Sequence, residues 1–418
     1  MMKPDGTHKP PRQELDGACT TGIDAPDNSG SANSLKIAIY VQHLLGTGHL
    51  VRMMALADAL SERNHSVLLV SGGELKHNRT RSYEFVQLPI TKTAPGDFRQ
   101  LLDQQGLPVD EFWKQSRTEQ LLDAVLSFEP QVLIVETFPF GRRQMRFELM
   151  PLLSSIEKMS PLPLVVASIR DILQSRAPKR NRETVELLQS SFDAVLVHGD
   201  PSLAPLSASF PLSHQIEPLL HYSGYINQSR RVFGKQGAVG LGGDGFKEVI
   251  VSAGGGAVGM NLLLTAIKAK PLSILKDAVW RIMIGKNLEA QDANLLRSMA
   301  NDQILVEENR SDFPLLLHRC ELSISQSGYN SCLDIIHAKV RSVMVPFSAD
   351  GETEQYQRAQ ILSEKGLVVL LPESALTPQN LAAAVNKAMK QWISQDLTIE
   401  TNGAEKSAMI IERLAQRC

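Results

Sequence analysis

The chain has 418 residues, with 43 Lys+Arg against 45 Asp+Glu and a formal net charge of −2, so it carries no global basic field for bulk nucleic-acid binding. Hydrophobic residues make up 43% and charged residues 21%, a globular balance. At roughly 150 residues per domain the length fits two or three domains. No run approaches the ~18 consecutive apolar residues of a membrane-spanning helix, and the N-terminus has no apolar segment of a secretory signal.

Residues 1–34 are rich in Pro, Asp and Gly and almost empty of large apolar residues. Such a stretch cannot bury enough surface to offset its ordering entropy and reads as a disordered tail. At Leu35 the pattern changes. Lys36–Gln42 is a short apolar run that fits a buried parallel strand. Gly46-Thr47-Gly48 makes the turn, Leu50, Met53, Met54, Leu56, Ala57 and Leu60 recur at helical spacing, and Ser66–Val70 is the next strand. Strands at Phe85–Leu88, Val132–Glu136, Leu164–Ile169 and Ala194–His198 alternate with helices near 98–128, 143–158 and 181–191. This alternation means a parallel sheet covered on both faces. Residues 225–246 break the rhythm with six glycines and read as a linker.

A second alternating block follows. Its strands are expected at Glu248–Ser252, Arg281–Ile284, Ile304–Val306, Leu322–Ser325, Ser342–Val345 and Leu367–Leu371. Its helices are expected at 258–269, 289–299, 311–318, 329–337, 354–364 and 378–391, with a last amphipathic helix at 404–416. Two α/β halves of similar size place a cleft between them, and ligands of open α/β sheets sit beyond the carboxyl ends of the strands. The expected division is a tail (1–34), a first domain (35–224), a linker (225–246), a second domain (247–395) and a C-terminal segment (396–418).

The turns after strands therefore carry the chemistry. In Gln42–His49 the glycines allow a ligand close to the backbone, and His49 stands at the start of the following helix, as a general base, as a donor to a phosphate or hydroxyl, or as a capping or packing histidine. Ser252–Gly259 contains G-x-G-x-x-G after a strand, a site for a phosphate or diphosphate at a helix N-terminus, or a close helix–strand contact. The acidic residue that a dinucleotide fold places about 20 residues on is missing, since Ile284-Gly285-Lys286-Asn287 reaches no acid before Glu289. In Ser325–Asp334, Ser327-Gly328 opens a helix and Asp334 can reach a ribose diol. Glu354 and Gln355 begin another helix; Glu354 suits a sugar hydroxyl or merely complements the helix dipole. Glu136, Asp171 and His198 follow other strands and are secondary candidates for a base. Two basic groups, Arg142, Arg143, Arg146 and Arg176, Lys179, Arg180, Arg182, read first as solvated faces, and otherwise as contacts to anionic lipid. Cys19, Cys320, Cys332 and Cys418 are too far apart for a disulfide framework or zinc motif and read as reduced cytosolic thiols.

Gly46-Thr-Gly-His49, Gly254-Gly-Gly256, Ser325-Gln-Ser-Gly-Tyr-Asn330 and Glu354-Gln355 with Arg358-Ala359, in this order over residues 35–390, resemble the nucleotide-sugar glycosyltransferases with two facing Rossmann-like domains (the GT-B fold). They are similar to family 28, which contains the GlcNAc transferase of lipid II synthesis, and to bacterial predicted glycosyltransferases. The resemblance implies inverting transfer from a nucleoside diphosphate sugar, most often a UDP-sugar, without metal or other cofactor. The acceptor would be a small molecule, a glycan or a lipid-linked hydroxyl, and the protein cytoplasmic with peripheral membrane contact at most. It implies that Gly254, Gly255, Gly256, Ser327 and Gly328 hold the diphosphate of the donor, that Asn330 belongs to the donor site, and that Asp334, where the family has a Glu, meets the ribose. Backbone near Val306 and Glu307 would face the base, and Glu354 and Gln355 the donor sugar. Gly46, Thr47 and Gly48 would form the acceptor loop, one glycine shorter than in the lipid II enzyme, with His49 as base. The last helix would pack back on the first domain. A nucleotide-sugar hydrolase and a non-catalytic sugar-nucleotide sensor share the same donor residues; an NAD(P) oxidoreductase does not fit the missing acid.

Overall fold

The computed structural model describes residues 34–44, 48–75, 80–94, 97–226, 243–254, 259–285, 288–348, 353–390 and 399–416. The expected tail up to residue 33, most of the expected linker (227–242), and Gly46, Thr47, Gly255 and Gly256 lie outside the described residues.

The first half runs β1 (Lys36–Val41), α1 (Gly48–Glu62), β2 (Ser66–Ser71), β3 (Glu84–Gln87), β4 (Lys92–Ala94), β5 (Asp97–Leu102), α2 (Glu111–Phe128), β6 (Val132–Glu136), α3 (Arg146–Ile156), β7 (Leu164–Arg170), α4 (Pro178–Ser191), β8 (Ala194–His198) and β9 (Leu220–Tyr222). Seven of these strands form one sheet in the order β3-β2-β1-β6-β7-β8-β9, and every pairing in it is parallel. The second half runs β10 (Val249–Ser252), α5 (Met260–Ala269), β11 (Trp280–Ile284), α6 (Ala290–Ser298), β12 (Ile304–Glu308), α7 (Phe313–Arg319), β13 (Leu322–Ser325), α8 (Tyr329–Ala338), β14 (Ser342–Met344), α9 (Glu354–Glu364), β15 (Val369–Leu370), α10 (Pro378–Lys390) and α11 (Gly403–Ala415). Its sheet is β12-β11-β10-β13-β14-β15, again all parallel. Both orders are doubly wound, and each reverses at one point: between β1 and β6, and between β10 and β13. Open α/β sheets bind ligands at such switch points.

The strands are apolar throughout because each sheet is covered on both faces. In β1, Ile37, Ile39 and Val41 pack with Leu50, Met53, Leu56 and Leu60 of α1 and with Ala408 and Ile411 of α11. The alternate residues Ala38 and Tyr40 pack on the other face with Leu121, Val125, Leu149 and Leu188 of α2, α3 and α4. The second sheet divides the same way, with Leu262, Leu263, Leu296, Leu381 and Val385 on one side and Leu316, Leu333, Ile335 and Leu362 on the other. Leu203 and Tyr225 of the first half belong to that last cluster, so one apolar core spans the junction.

The structure differs from the sequence expectation in one long element. Instead of a helix over 98–128, β5 pairs antiparallel with β4 through Leu102, and the helix begins at Glu111. Pro108 interrupts any earlier helix, while the Asp110 carboxylate caps the new start by accepting from the Trp113 N–H at 2.7 Å. The short edge strand β9 carries no apolar run of its own and escaped the sequence pattern.

Candidate functional site

His49 is the second residue of α1 and projects toward the carboxyl end of β6, the neighbour of β1 at the switch point. Its Nδ1 lies 2.7 Å from Glu136 Oε1. Glu136 is fully buried and is held in turn by the Arg52 guanidinium and by the Thr137 hydroxyl, which donates to Oε2 at 2.7 Å. A carboxylate can only accept, so His49 carries its proton on Nδ1 and leaves Nε2 with a lone pair. Burial, with the positive charges of Arg142 and Arg170, outweighs Glu136 and lowers the imidazole pKa to about 3, so the ring is neutral at pH 7. Burial works to raise the Glu136 carboxyl, but His49, Arg52 and Arg142 override it and hold it well below the usual range. Glu136 is thus the orienting partner of His49. Only the spatial adjacency of β1 and β6 reveals that pairing across 87 residues.

The other secondary candidates have different surroundings. His198 is fully buried, with Nε2 2.8 Å from Ser168 Oγ and Nδ1 3.0 Å from Ser223 Oγ, so both ring nitrogens are occupied. Asp171 accepts from Arg358 at 3.1 Å and from the Tyr225 hydroxyl at 3.1 Å, an ion pair between the halves. The basic groups are not uniformly solvated, which corrects the sequence reading. Arg142 is half-buried and donates from Nε to the Gln42 carbonyl at 2.7 Å, while Arg143 and Arg146 face Glu183.

On the opposite side of the cleft, α8 starts at Tyr329 with Gly328 as its N-cap and no side-chain cap, which leaves its first N–H groups for a ligand. A Cβ built on Gly328 or on Gly254 would meet nothing within 4 Å, so both glycines border open space. Gly254 sits at φ +70, where glycine is favoured. Asn309 fixes this turn by donating to the Gly254 carbonyl at 2.9 Å, while the buried Asn309 Oδ1 and Ser325 Oγ have no hydrogen-bond partner among the described residues. Ser327 is fully buried; its hydroxyl donates to the Gln355 carbonyl at 2.8 Å, tying the β13–α8 turn to the start of α9. The Gln355 Oε1 accepts from Phe347 N at 3.2 Å. Asp334 is half-buried in the second turn of α8. At the end of β12, Glu307 pairs with Arg281 at 3.0 Å.

The two sides meet closely. Asn330 Nδ2 lies 3.8 Å from the place a Cβ on Gly48 would take, so the helix starts at His49 and at Asn330 face one another. The Tyr329 ring stands 5.7 Å from the guanidinium carbons of both Arg52 and Arg358, and its hydroxyl donates to the His198 carbonyl at 3.1 Å. Glu354 bridges the halves: Oε2 is 2.6 Å from Arg170 and Oε1 is 2.8 Å from Arg358. Gly48, His49, Ser327, Gly328, Asn330, Glu354 and Gln355 therefore come together around one junction. Glu136, Asp171 and Arg358, which the sequence already singles out, complete it together with Arg52 and Arg170; the last two have no local motif, and the signal available is their position one turn into α1 and at the end of β7.

Residues 250–414 match the model of the glycosyltransferase family 28 C-terminal domain. The second half is a family 28-type glycosyltransferase domain, and the whole chain has the GT-B fold. The UDP-N-acetylglucosamine--N-acetylmuramyl-(pentapeptide) pyrophosphoryl-undecaprenol N-acetylglucosamine transferase of Prochlorococcus marinus (strain MIT 9211) is 26% identical over 156 residues, which are 36% of this chain and 40% of that relative. The chain thus matches about two-fifths of the length of that curated relative. Among solved structures, the glycotransferase of kitacinnamycin superposes with a TM-score of 0.62 at 16% identity, covering 91% of this chain and 99% of the other. The Acinetobacter baumannii MurG structure gives a TM-score of 0.54 at 12% identity, covering 91% and 99%. The spinosyn rhamnosyltransferase SpnG complexed with thymidine diphosphate gives 0.56 at 15%, covering 92% and 96%. At these identities the structural likeness concerns the fold. The family 28-type domain holds Gly254, Ser327, Gly328, Asn330, Asp334, Glu354 and Gln355, whereas His49 and Glu136 belong to the other half.

Proposed function

We propose that the protein is a glycosyltransferase that moves a sugar from a nucleoside diphosphate sugar, a UDP-sugar, to an acceptor hydroxyl with inversion at the anomeric carbon. The observation that carries this reading is the His49–Glu136 pair at a helix start that faces the uncapped start of α8 across the junction. The family 28-type domain and the UDP-sugar in the name of the Prochlorococcus relative support the donor class.

In this mechanism His49 Nε2 takes the proton of the acceptor hydroxyl. The acceptor oxygen attacks the anomeric carbon, the bond from that carbon to the diphosphate oxygen breaks, and its electron pair leaves with the diphosphate. The imidazolium formed is stabilised by the Glu136 carboxylate, as in other oriented histidine bases. The backbone N–H groups at the start of α8 and the glycine turn after β10 stabilise the charge growing on the leaving group. Gly254, Gly255, Gly256, Ser327 and Gly328 are assigned to the diphosphate, Asn330 to the donor site, Asp334 to the ribose, and Glu354 with Gln355 to the donor sugar. Gly46, Thr47 and Gly48 are assigned to the acceptor loop. Charge neutralisation is assigned to the protein, with no metal. No helix of the described residues is long and apolar enough to cross a membrane; a lipid-linked acceptor would be met by peripheral contact.

A thermal-shift series with UDP, GDP, dTDP, ADP and NAD tests the donor site through binding linkage. Stabilisation by UDP is expected; stabilisation by NAD with no response to a nucleoside diphosphate would overturn the reading. Incubation with UDP-sugars without acceptor separates transfer from hydrolysis: rapid stoichiometric sugar release would make the protein a hydrolase.

A further inference from the structure

Arg170 ends β7 in the first half, and Glu354 begins α9 in the second. Arg170 Nη2 lies 2.6 Å from Glu354 Oε2, so this ion pair crosses the junction. A second pair crosses beside it. Asp171, next to Arg170, accepts from Arg358 Nη2 at 3.1 Å. Arg358 stands one helical turn after Glu354 and donates to its Oε1 at 2.8 Å. Two adjacent residues of one half thus meet, each with its opposite charge, two residues stacked on one helix of the other. Arg358 Nη1 also donates to the Ser327 carbonyl at 3.2 Å, which carries the chain of contacts into the β13–α8 turn. Glu354 is only 4% exposed. An acid that merely complements a helix dipole does so at the surface and needs neither burial nor two guanidiniums.

We propose that Arg170 is a positioning residue for recognition of the donor sugar: it holds Glu354 in the orientation that accepts from a sugar hydroxyl, so both halves together choose the sugar, while the nucleotide is held by the second half. A buried ion cluster is a poor source of net stability; what it fixes is direction. With one arginine on each oxygen, the carboxylate plane cannot turn without losing a charge-assisted hydrogen bond. A carboxylate offers about four lone-pair sites, so two arginines do not saturate it. The Arg170 side chain is 30% exposed, and its removal therefore takes away the contact to Glu354 without opening the core. The role rests on the assignment of Glu354 to the donor sugar in the transferase reading and adds to it a determinant from the half that does not hold the nucleotide.

The test measures binding of UDP, UDP-glucose, UDP-galactose and UDP-N-acetylglucosamine to the full chain by calorimetry. Arg170→Gln is expected to weaken the best-bound UDP-sugar at least about tenfold, the scale of a lost charge-assisted hydrogen bond, and to leave UDP within about twofold. Arg170→Lys should restore part of the loss. Because Arg170 acts through Glu354, adding Arg170→Gln to Glu354→Gln should change the affinity for that sugar less than about threefold, the non-additivity of coupled residues. UDP affinity in each variant reports that the second half is intact. A loss shared equally by UDP and the UDP-sugars marks a contact that only joins the halves, and overturns the proposal. So does an equal effect of Arg170→Gln with and without Glu354→Gln, or wild type that binds UDP and none of the three sugars. If wild type binds the UDP-sugars and Arg170→Gln binds them as well, the role of Arg170 falls and the donor class stands; if wild type binds neither UDP nor any UDP-sugar, the transferase reading falls and this proposal with it.

Discussion

Two histidines at the ends of neighbouring parts of one sheet show how environment divides roles. His49 and His198 are both held neutral, with pKa values lowered to about 3 chiefly by burial. His198 spends both nitrogens on Ser168 and Ser223, whereas His49 uses Nδ1 on Glu136, and its Nε2 is the base in the mechanism proposed above. Replacing His49 by Ala should lower turnover by about 10²–10⁴, the usual scale of a general base, and leave UDP stabilisation in place; unchanged turnover would remove His49 from the mechanism. Glu136→Gln should lower kcat with little change in donor KM, because the amide can also donate to Nδ1 and select the unproductive tautomer. The pH dependence has a definite sign. A histidine whose folded pKa lies below its unfolded value of about 6.5 contributes stability that is complete above that value and lost as pH falls toward the folded pKa. Urea midpoints should therefore drop between about pH 6.5 and 5, before carboxylates titrate, by at most ~1.4 kcal/mol per pH unit per histidine. A flat midpoint over that window would contradict neutral burial. Over the same window kcat/KM should show no loss attributable to protonation of His49.

The C-terminal helix α11 belongs in packing to the first sheet. Ala408 and Ile411 are fully buried in the cluster that contains Leu50, Met53 and Leu60. Its polar edge is tied down by Arg63, which donates to Glu412 at 2.7 Å and to Glu405 at 2.6 Å, and by His65 at 2.8 Å from Glu412. The apolar contact dominates this docking. Ile411→Ala should destabilise the protein by about 2–5 kcal/mol, whereas Arg63→Ala, removing an ion pair that is about a third exposed, should cost no more than ~1 kcal/mol. Denaturant melts of the two variants compare them directly; equal losses would reverse the ranking. The Arg63 hydrogen bond holds the Glu412 carboxyl below its usual range, so its contribution is present at neutral pH and disappears as acid protonates it.

Across the whole molecule, the two halves are joined by charges shielded from water. Arg358 reaches Asp171 and Glu354, and Glu354 also reaches Arg170, with Asp171, Glu354 and Arg358 all buried. Tyr329 fills the space between Arg52 and Arg358. Such a network gives little net stability compared with an apolar contact, yet removing one member strands the others. Arg358→Met would leave Asp171 and Glu354 without their shared cation. It should destabilise the chain by about 3–5 kcal/mol, and a urea midpoint unchanged from wild type would show that the network carries no such burden. The same network places Glu354 on both Arg170 and Arg358, so a donor sugar at Glu354 would meet a carboxylate already oriented.

The sequence by itself determined the parallel α/β class and the glycine turns that follow its strands. Apolar runs such as Lys36–Val41 and Leu322–Ser325, alternating with helical periods, leave few other ways to cover both faces of a strand. The turns at Gly48, Gly254 and Gly328 are legible because close backbone approach is a local requirement that glycine alone meets easily. Composition misled where a local stop mattered more than periodicity, as in the stretch before Asp110, which became a hairpin. Only the tertiary structure decided that Glu136 serves His49 across 87 residues and that Arg358 meets Asp171 across 187. Strand order and the docking of the two halves create those pairs, and a one-dimensional period carries no information about which strand lies beside which.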